Sequence, residues 1–221
     1  MTSPSGGGSR RKRPVLIPVI AVLLASGLGI TALLGGLDQV PDPPPEQLGE
    51  GAILDQGQFR TQFVAARYVF TPAANEFAED QRHLELEFKV TNLGDRTTYV
   101  GSPQQPGKET TSSVLFAGSI LRTTPPIRTE AGGVGAVLTG DELRSTQLHP
   151  GVATPVVVRY ELDEATEVPD RIVLDMGTFE LMGRFPSKVE DWSLATKRVN
   201  GKDVAEVAAR VTLPVQQGER S

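Results

Sequence analysis

Apolar and polar residues alternate most regularly over residues 83–91, in the sequence HLELEFKVT. A period of two places one set of side chains on a buried face and the other in water, which predicts a β-strand. Pro214 falls in another alternating segment and predicts a strand end or an edge position, because proline cannot donate to a sheet. The further alternating segments, strong or weak, are residues 58–70, 112–122, 154–162, 171–182 and 205–215.

The strand segments are separated by turn residues and predict a mainly β chain. Outside residues 15–37 no stretch keeps a helical period with end caps, and only residues 191–195 suggest a turn or two of helix. We therefore expect an antiparallel immunoglobulin-like β-sandwich over residues 51–217, preceded by one transmembrane α-helix. This domain is longer than the roughly 100 residues of a bare immunoglobulin-type domain, so we expect long loops. They are placed at residues 71–82, 101–112, 123–150 and 183–203.

Residues 15–37 form a long uncharged apolar run. At about 1.5 Å rise per residue, such a run is long enough to cross a hydrocarbon core about 30 Å thick. The basic sequence RRKR at residues 10–13 precedes it, so the positive-inside rule places the N-terminus in the cytoplasm and the rest of the chain outside. We expect a disordered basic cytoplasmic tail (1–14), a transmembrane signal-anchor helix (15–37) and a Pro-rich linker (38–50) before the extracytoplasmic domain.

Two features of this segment keep alternatives open. Residues 15–24 would serve as the apolar region of a cleaved signal peptide, with Ala25 and Gly27 at a small-x-small cleavage site. The apolar run continues well beyond the usual length of such a region, which favours an uncleaved anchor. Ala25 and Gly29 form a small-xxx-small pair that could let two helices approach closely, although such pairs are common in membrane helices.

Composition narrows the chemistry, because 22 Lys and Arg stand against 27 Asp and Glu and the chain has no Cys. An acidic chain is not typical of nucleic-acid binding, and the lack of Cys excludes disulfides and thiolate metal sites. His83 and His149 leave little material for a zinc site or a Ser-His-Asp triad. The glycine-rich residues 131–140 lack a P-loop ending, and the acidic clusters at 76–80 and 163–170 lack the spacing of a calcium loop. We expect no enzyme activity, no metal or other cofactor and no nucleic-acid partner.

Trp192 is the only tryptophan and lies in the one basic stretch of the outer domain. An aromatic ring among cations is typical of a contact with anionic wall polymer, lipid headgroups or a partner protein. The alternative is a tryptophan that closes one end of the sandwich beside solvated cations. We predict a partner contact made by Trp192 together with Arg184, Lys188, Lys197 and Arg198.

Three segments carry a resemblance to a known family: LELEFKVTNLGD, LHPGV leading into VVVRYELDE, and VPDRIVLDMG. They resemble the immunoglobulin-like domain of unknown function found on secreted or membrane-tethered proteins of Gram-positive bacteria, including secreted mycobacterial immunogenic antigens. The chain looks like an actinobacterial version. The resemblance covers residues 51–177 and implies an extracytoplasmic β-sandwich without established catalytic residues. The chain departs from the family's pattern at residues 131–140 and 183–203.

We therefore expect a single-pass protein of the cell membrane whose extracellular domain is a non-catalytic interaction module of the cell envelope. Its partners would be the lipid bilayer, through residues 15–37, and an envelope protein or wall polymer, through residues 183–203 or 123–150. The alternative is a small-ligand or metal-sensing ectodomain, which would carry a concave apolar pocket or converging carboxylates. An envelope hydrolase is the least favoured class, because the scarcity of His leaves few positioned bases.

Overall fold

The computed structural model describes residues 43–105, 113–127, 129, 132–139, 142–163, 166–183 and 190–218. Within these ranges no helix is long and apolar enough to cross a membrane. The predicted cytoplasmic tail, the predicted helix at 15–37 with Ala25 and Gly29, and residues 38–42 of the predicted linker lie outside the described residues.

The described part of the chain is built almost entirely from strands, so the prediction of a mainly β fold is confirmed. The earlier strands are β1 (Glu46–Gly49), β2 (Ile53–Asp55), β3 (Phe59–Thr71), β4 (Gln81–Asn92), β5 (Thr98–Tyr99), β6 (Ile120–Thr124) and β7 (Gly133–Thr139). A short 3₁₀ helix (Phe116–Ser119) precedes β6. The later strands are β8 (Glu142–Ser145), β9 (Gln147–Leu148), β10 (Ala153–Glu161), β11 (Arg171–Gly177), β12 (Phe179–Gly183), β13 (Glu190–Leu194), β14 (Thr196–Val199), β15 (Lys202–Ala205) and β16 (Val207–Gly218).

Ten strands form one sheet, in which eight follow the order β6, β11, β16, β3, β4, β10, β7, β8. β1 joins this sheet beside β16, and β2 joins it beside β3. Neighbouring strands are antiparallel except for two parallel pairs, β1 with β16 and β16 with β3, so the predicted antiparallel arrangement holds only in part. β1 lies within residues 38–50, so the sheet begins inside the segment that the sequence predicts as a linker. Three two-stranded sheets, β12–β13, β14–β15 and β5–β9, complete the fold.

β16 changes its neighbour along its length. Residues 209–212 pair with β1, and residues 215–218 pair with β3. Pro214 lies between these two pairings, where a missing N–H interrupts neither of them. It also pairs with Arg171 of β11. The prediction that Pro214 marks a strand end is therefore wrong, because the residue lies inside β16. Its side opposite β11 is locally unpaired, as at an edge, because β1 pairs before it and β3 after it.

One hydrophobic core fills the interior of the large sheet. The alternating residues Leu84, Leu86, Phe88 and Val90 of β4 are each 1% exposed or less. They belong to the same buried cluster as Leu174 of β11, although β4 and β11 are separated by two strands in the sheet order. The sheet therefore curls over a single interior, which the alternating strands fill with one face each.

Phenylalanine side chains form the centre of this core. Phe59 packs edge-to-face on Phe116, with 5.7 Å between ring centroids, and on Phe179 at 5.2 Å. Phe88 packs in the same way on Phe116 at 5.5 Å and on Phe63 at 6.0 Å. The cluster joins β3, β4, the 3₁₀ helix and β12 by contacts that each add about 0.5–1.5 kcal/mol to the burial of the rings.

Two of the predicted long loops contain strands, which corrects the sequence-based assignment. Residues 123–150 include β7 to β9, and residues 183–203 include β13, β14 and the start of β15. The helical turn expected at 191–195 is wrong, because residues 191–194 belong to β13. Glycine is depleted in β-strands, so the glycines of residues 132–135 argue against a strand when only the sequence is considered. In β7, however, Gly135 lies so close to Val100 that a Cβ would collide with it. The glycine therefore permits a close approach of neighbouring chain segments that no local pattern encodes.

Candidate functional site

A cleft of about 850 Å³ opens beside Trp192. It lies between the turn that follows β2, the turn that follows β4, the start of the segment at Val114 and the β12–β13 hairpin. Its walls therefore come from parts of the chain that are far apart in sequence. Among the described residues, a smaller cavity of about 250 Å³ is formed by Pro125, Pro126 and neighbouring side chains.

The turn after β4 is held in place by one buried side chain. Asn92 is fully buried, and its Nδ2 donates to the carbonyl oxygens of Arg96, at 2.8 Å, and Leu148, at 3.0 Å. Its Oδ1 accepts from the backbone N–H of Gly94 at 2.9 Å. A carboxamide that bonds both within the turn and to β9 gives this side of the cleft a defined shape.

The indole of Trp192 packs against two glycine turns. Gly57 has φ 78°, and a Cβ there would collide with the carbonyl oxygen of Phe179 and lie 3.2 Å from Trp192 Cζ3. At Gly94, a Cβ would lie 3.5 Å from Trp192 Nε1. The half-buried ring also contacts the hydrophobic core, so it is both a structural plug and part of the cleft wall. The packing on the core is the contact that the plug alternative predicts, and the partner contact stays a prediction.

Exposed apolar side chains surround the indole. Leu181 lies opposite Trp192 in the β12–β13 pair and is 48% exposed. Leu93 and Val114, on the other walls, are 39% and 41% exposed. Large apolar side chains that stay exposed together around a concavity are typical of a binding surface.

The described charges at the cleft are mainly acidic: Asp95, Glu190 and Asp191 stand against Arg96. Arg96 Nε lies 3.7 Å from Asp95 Oδ1, and both side chains are largely exposed, so this ion pair contributes little to stability. Asp191 also takes part in an interaction. Glu190 is exposed and forms no ion pair with the described part of the chain.

Gln58 lines the cleft and is only 7% exposed. Its Oε1 is shielded from solvent and accepts no hydrogen bond from any described residue. A buried acceptor left without a donor costs about 1–3 kcal/mol. Gln56, two positions earlier, is fully buried but has both ends of its carboxamide hydrogen-bonded. Gln58 Oε1 is thus a buried side-chain oxygen at the cleft that has no hydrogen-bond partner among the described residues.

The predicted contact residues are only partly brought together. Trp192 lies in the cleft, whereas Lys197 and Arg198 lie on β14 and are not among the residues that line it. Arg198 Nε is 3.1 Å from Asp203 Oδ1 across the β14–β15 pair. Arg184 and Lys188 lie outside the described residues. The described charges nearest the indole are therefore acidic rather than basic.

Sequence reasoning missed Gln58, Leu93, Leu181 and Glu190 as cleft residues. The chain offers a local signal only for Gln58 and Leu93, each of which adjoins a glycine, Gly57 or Gly94, in the turn after a strand. Nothing in the sequence indicates that the two turns face the same tryptophan.

A second cluster of charges lies on the outer face of β6, β11 and β16. Arg122 Nε donates to Asp175 Oδ2 at 3.0 Å, and Arg210 Nε donates to Oδ1 at 2.9 Å. Burial raises the pKa of the Asp175 carboxyl, but the hydrogen bonds and charges of Arg210 and Arg122 outweigh that effect and hold its pKa below the usual value. This carboxylate joins three strands and is a structural ion cluster.

The remaining candidate groups have structural surroundings. His149 Nδ1 and Thr97 Oγ1 are 3.0 Å apart in exposed turns, and His83 lies in β4. Burial raises the pKa of Tyr160, so this phenol stays protonated. In the part of the chain that the structure covers, no three His, Cys, Asp or Glu side chains are grouped so that they could hold a metal ion.

Comparisons with known proteins found no match, either among protein-family models or among curated protein sequences.

Proposed function

We propose that this chain is a single-pass, membrane-anchored extracytoplasmic protein whose β domain is a non-catalytic binding module of the cell envelope. The Trp192 cleft is the contact surface. The observation that carries this proposal is an open concavity in which the exposed side chains of Leu93, Leu181 and Val114 lie around the half-buried Trp192. Aromatic and aliphatic side chains of this kind are enriched where proteins bind partners.

The proposed fold is the immunoglobulin-like sandwich of Gram-positive envelope proteins. Support comes from the segments that carry the resemblance: LELEFKVTNLGD runs through β4 into its turn, LHPGV leads into β10, and RIVLDMG is β11. The curled sheet over one core and the partner change of β16 also suit such a domain. The membrane anchor is supported by the uncharged apolar run at residues 15–37, which directly follows the basic residues 10–13.

A small-ligand sensor is the second candidate function, and the size of the cleft favours it. A volume of about 850 Å³ falls within the roughly 300–1,000 Å³ typical of small-molecule sites. The two candidates share the same surface and differ in what fills it.

Crosslinking in native membranes tests the binding-module proposal. The full-length protein would be compared with Leu181→Asp, which places a charge on the exposed wall of the cleft, and with Trp192→Ala. Val134→Asp is the matched control, because Val134 is 59% exposed on β7 and does not line the cleft. Far-UV circular dichroism and thermal unfolding would show which variants remain folded.

We expect one crosslinked envelope component to be recovered with the wild type and with Val134→Asp, and to be lost with folded Leu181→Asp. Equal recovery with both aspartate variants would contradict the proposal. Recovery of no macromolecule, together with binding of a small ligand by the purified protein, would favour the sensor instead.

A further inference from the structure

We propose that the β14–β15 hairpin is a second membrane contact, which lays one of its faces on the anionic phospholipid surface of the bilayer that holds the anchor. This lysine–valine face consists of Lys197, Val199, Lys202 and Val204. The inference rests on the membrane anchor of the proposed function and adds a surface outside the Trp192 cleft.

A tight turn and a fixed base define the hairpin. Asn200 has φ 50° and Gly201 has φ 79°, and these two residues alone join β14 to β15. Positive φ at both central positions is typical of a type I′ turn, whose twist matches that of the paired strands. At the base, the Glu206 N–H donates to the Ala195 carbonyl oxygen at 2.9 Å, and the Ala195 N–H donates to that of Thr178 at 2.9 Å. The hairpin is therefore attached to the domain in a defined position.

The two faces of the hairpin differ in charge. Residues that lie opposite each other or two positions apart share one side of a two-stranded sheet. Each lysine of the lysine–valine face lies opposite a valine, in the pairs Lys197–Val204 and Lys202–Val199. The other face carries Arg198 and Asp203, which form an ion pair with 3.1 Å between Nε and Oδ1. One face is therefore cationic and partly apolar, whereas the two charges of the other face are paired.

The hairpin stands out from the rest of the domain. Residues 197–204 are exposed on both faces, and β14 and β15 form a sheet of their own. Val199 and Val204 are 41% and 45% exposed. A two-stranded hairpin is only marginally stable in water unless one face is covered. Contact with another surface would therefore stabilise it.

The lysines select an anionic surface. The chain as a whole is acidic, yet two of the three lysines among the described residues lie on this face, and the third is Lys89 of β4. Lys197 also takes part in an interaction within the protein. Anionic lipids attract such cations, and the methylene stems and valines can enter the apolar boundary beneath the headgroups. Because an anionic surface repels the acidic residues at the cleft, the contact is confined to the hairpin.

The chain enters the domain at the end of the sheet where the hairpin is attached. β1 is parallel to β16, with Glu46 opposite Ala209, and β15 ends four positions earlier, at Ala205. Glu46 is nine positions after Leu37, the last residue of the proposed anchor. A chain of that length spans about 30 Å at most. Such a tether raises the effective concentration of the surface, so that even a weak contact is populated.

A fluorescent label on the hairpin gives a direct test. Because the chain has no Cys, full-length Val199→Cys can carry a single nitrobenzoxadiazole label, whose emission reports an apolar surrounding. The labelled protein would be reconstituted into vesicles of phosphatidylcholine, with or without phosphatidylglycerol. Labelled Phe77→Cys is the control, because Phe77 is 91% exposed and follows the end of β3 that lies away from the hairpin. Flotation of the vesicles shows separately whether the chain is anchored.

We expect the label at position 199 to shift to shorter wavelength only in the anionic vesicles, and the label at position 77 to shift in neither. Added salt should reverse the shift. In the Val199→Cys protein, Lys202→Gln should lower the ratio of docked to undocked hairpin about fivefold, and Lys197→Gln together with Lys202→Gln should lower it further. Lys89→Gln removes an equally exposed lysine outside the hairpin and should leave the ratio unchanged.

A protein that floats with both kinds of vesicle but shows no shift at position 199 would overturn the hairpin contact and leave the anchor. Equal shifts at positions 199 and 77, equal shifts in neutral and anionic vesicles, or equal losses in Lys202→Gln and Lys89→Gln would overturn it as well. A chain that floats with neither would overturn both the anchor and this inference, and the Leu181→Asp crosslinking comparison would still decide the role of the cleft.

Discussion

Gln56 and Gln58 are expected to respond in opposite ways to the same substitution by leucine. The Gln56 Nε2 donates to Ser119 Oγ at 3.0 Å and to the Gly177 carbonyl oxygen at 2.6 Å, and its Oε1 accepts from Thr61 Oγ1 at 2.7 Å. The carboxamide therefore joins the turn after β2 to the 3₁₀ helix, to β11 and to β3.

Leucine at position 56 would leave three buried polar groups without this partner. At about 1–3 kcal/mol for each group, and with Ser119 Oγ still donating to the Phe116 carbonyl oxygen, we expect Gln56→Leu to lower the free energy of unfolding by about 3–5 kcal/mol. That is a large share of the roughly 5–15 kcal/mol that stabilises a typical domain. Thr61→Val, which removes one of the three bonds, is the milder variant and should lower it by about 1–2 kcal/mol.

Gln58→Leu removes a buried oxygen that has no described partner, so we expect a change between zero and a gain of about 1 kcal/mol. Urea denaturation followed by Trp192 emission and by far-UV circular dichroism would measure all three variants. Equal losses in Gln56→Leu and Gln58→Leu would refute the reasoning, because the two side chains would then be equally used in the fold.

Three further predictions concern the turns, the ion cluster and the cleft. Gly57→Ala should lower the free energy of unfolding by about 2–4 kcal/mol in thermal unfolding, whereas Gly151→Ala, which has a similar positive φ but no neighbour within 4 Å, should lower it by about 1–2 kcal/mol; equal losses would contradict the collision. Asp175→Asn should destabilise the protein by about 1–3 kcal/mol at neutral pH. Because the folded pKa of Asp175 is lowered, this stabilisation is present above the unfolded pKa of about 4 and is lost as the pH falls through the folded value, so the two unfolding curves should converge in acid; a constant difference down to strong acid would argue against it. Caesium ions should quench Trp192 more strongly than iodide, relative to free N-acetyltryptophanamide, because the described rim is acidic; stronger quenching by iodide would contradict that assignment of charge.

Strand content followed from local pattern, since the alternation in residues 83–91 reports directly which face of β4 is buried. β7 could not be predicted in this way, because its glycines serve contacts with Val100 and Pro103, which are distant in sequence. The same limitation applies to the charges: of the four basic residues grouped with Trp192 in the sequence, Lys197 and Arg198 lie in a separate hairpin, and Arg184 and Lys188 lie outside the described residues. Residues that follow Trp192 closely in the sequence therefore need not line the same cleft, because the chain passes from β13 into a different sheet.

By itself the sequence determined the β character of the domain and the buried face of its main strands, because each depends on a period within a few residues. It also singled out Trp192, as the only tryptophan of the chain. Only the tertiary structure decided what surrounds that tryptophan. The cleft forms because two glycine turns, a hairpin and the segment at Val114 meet at one indole. Gln58 Oε1 is unpartnered because none of the described segments around it places a hydrogen-bond donor within reach. Such a site is a property of packing between segments distant in the chain, and no local pattern contains it.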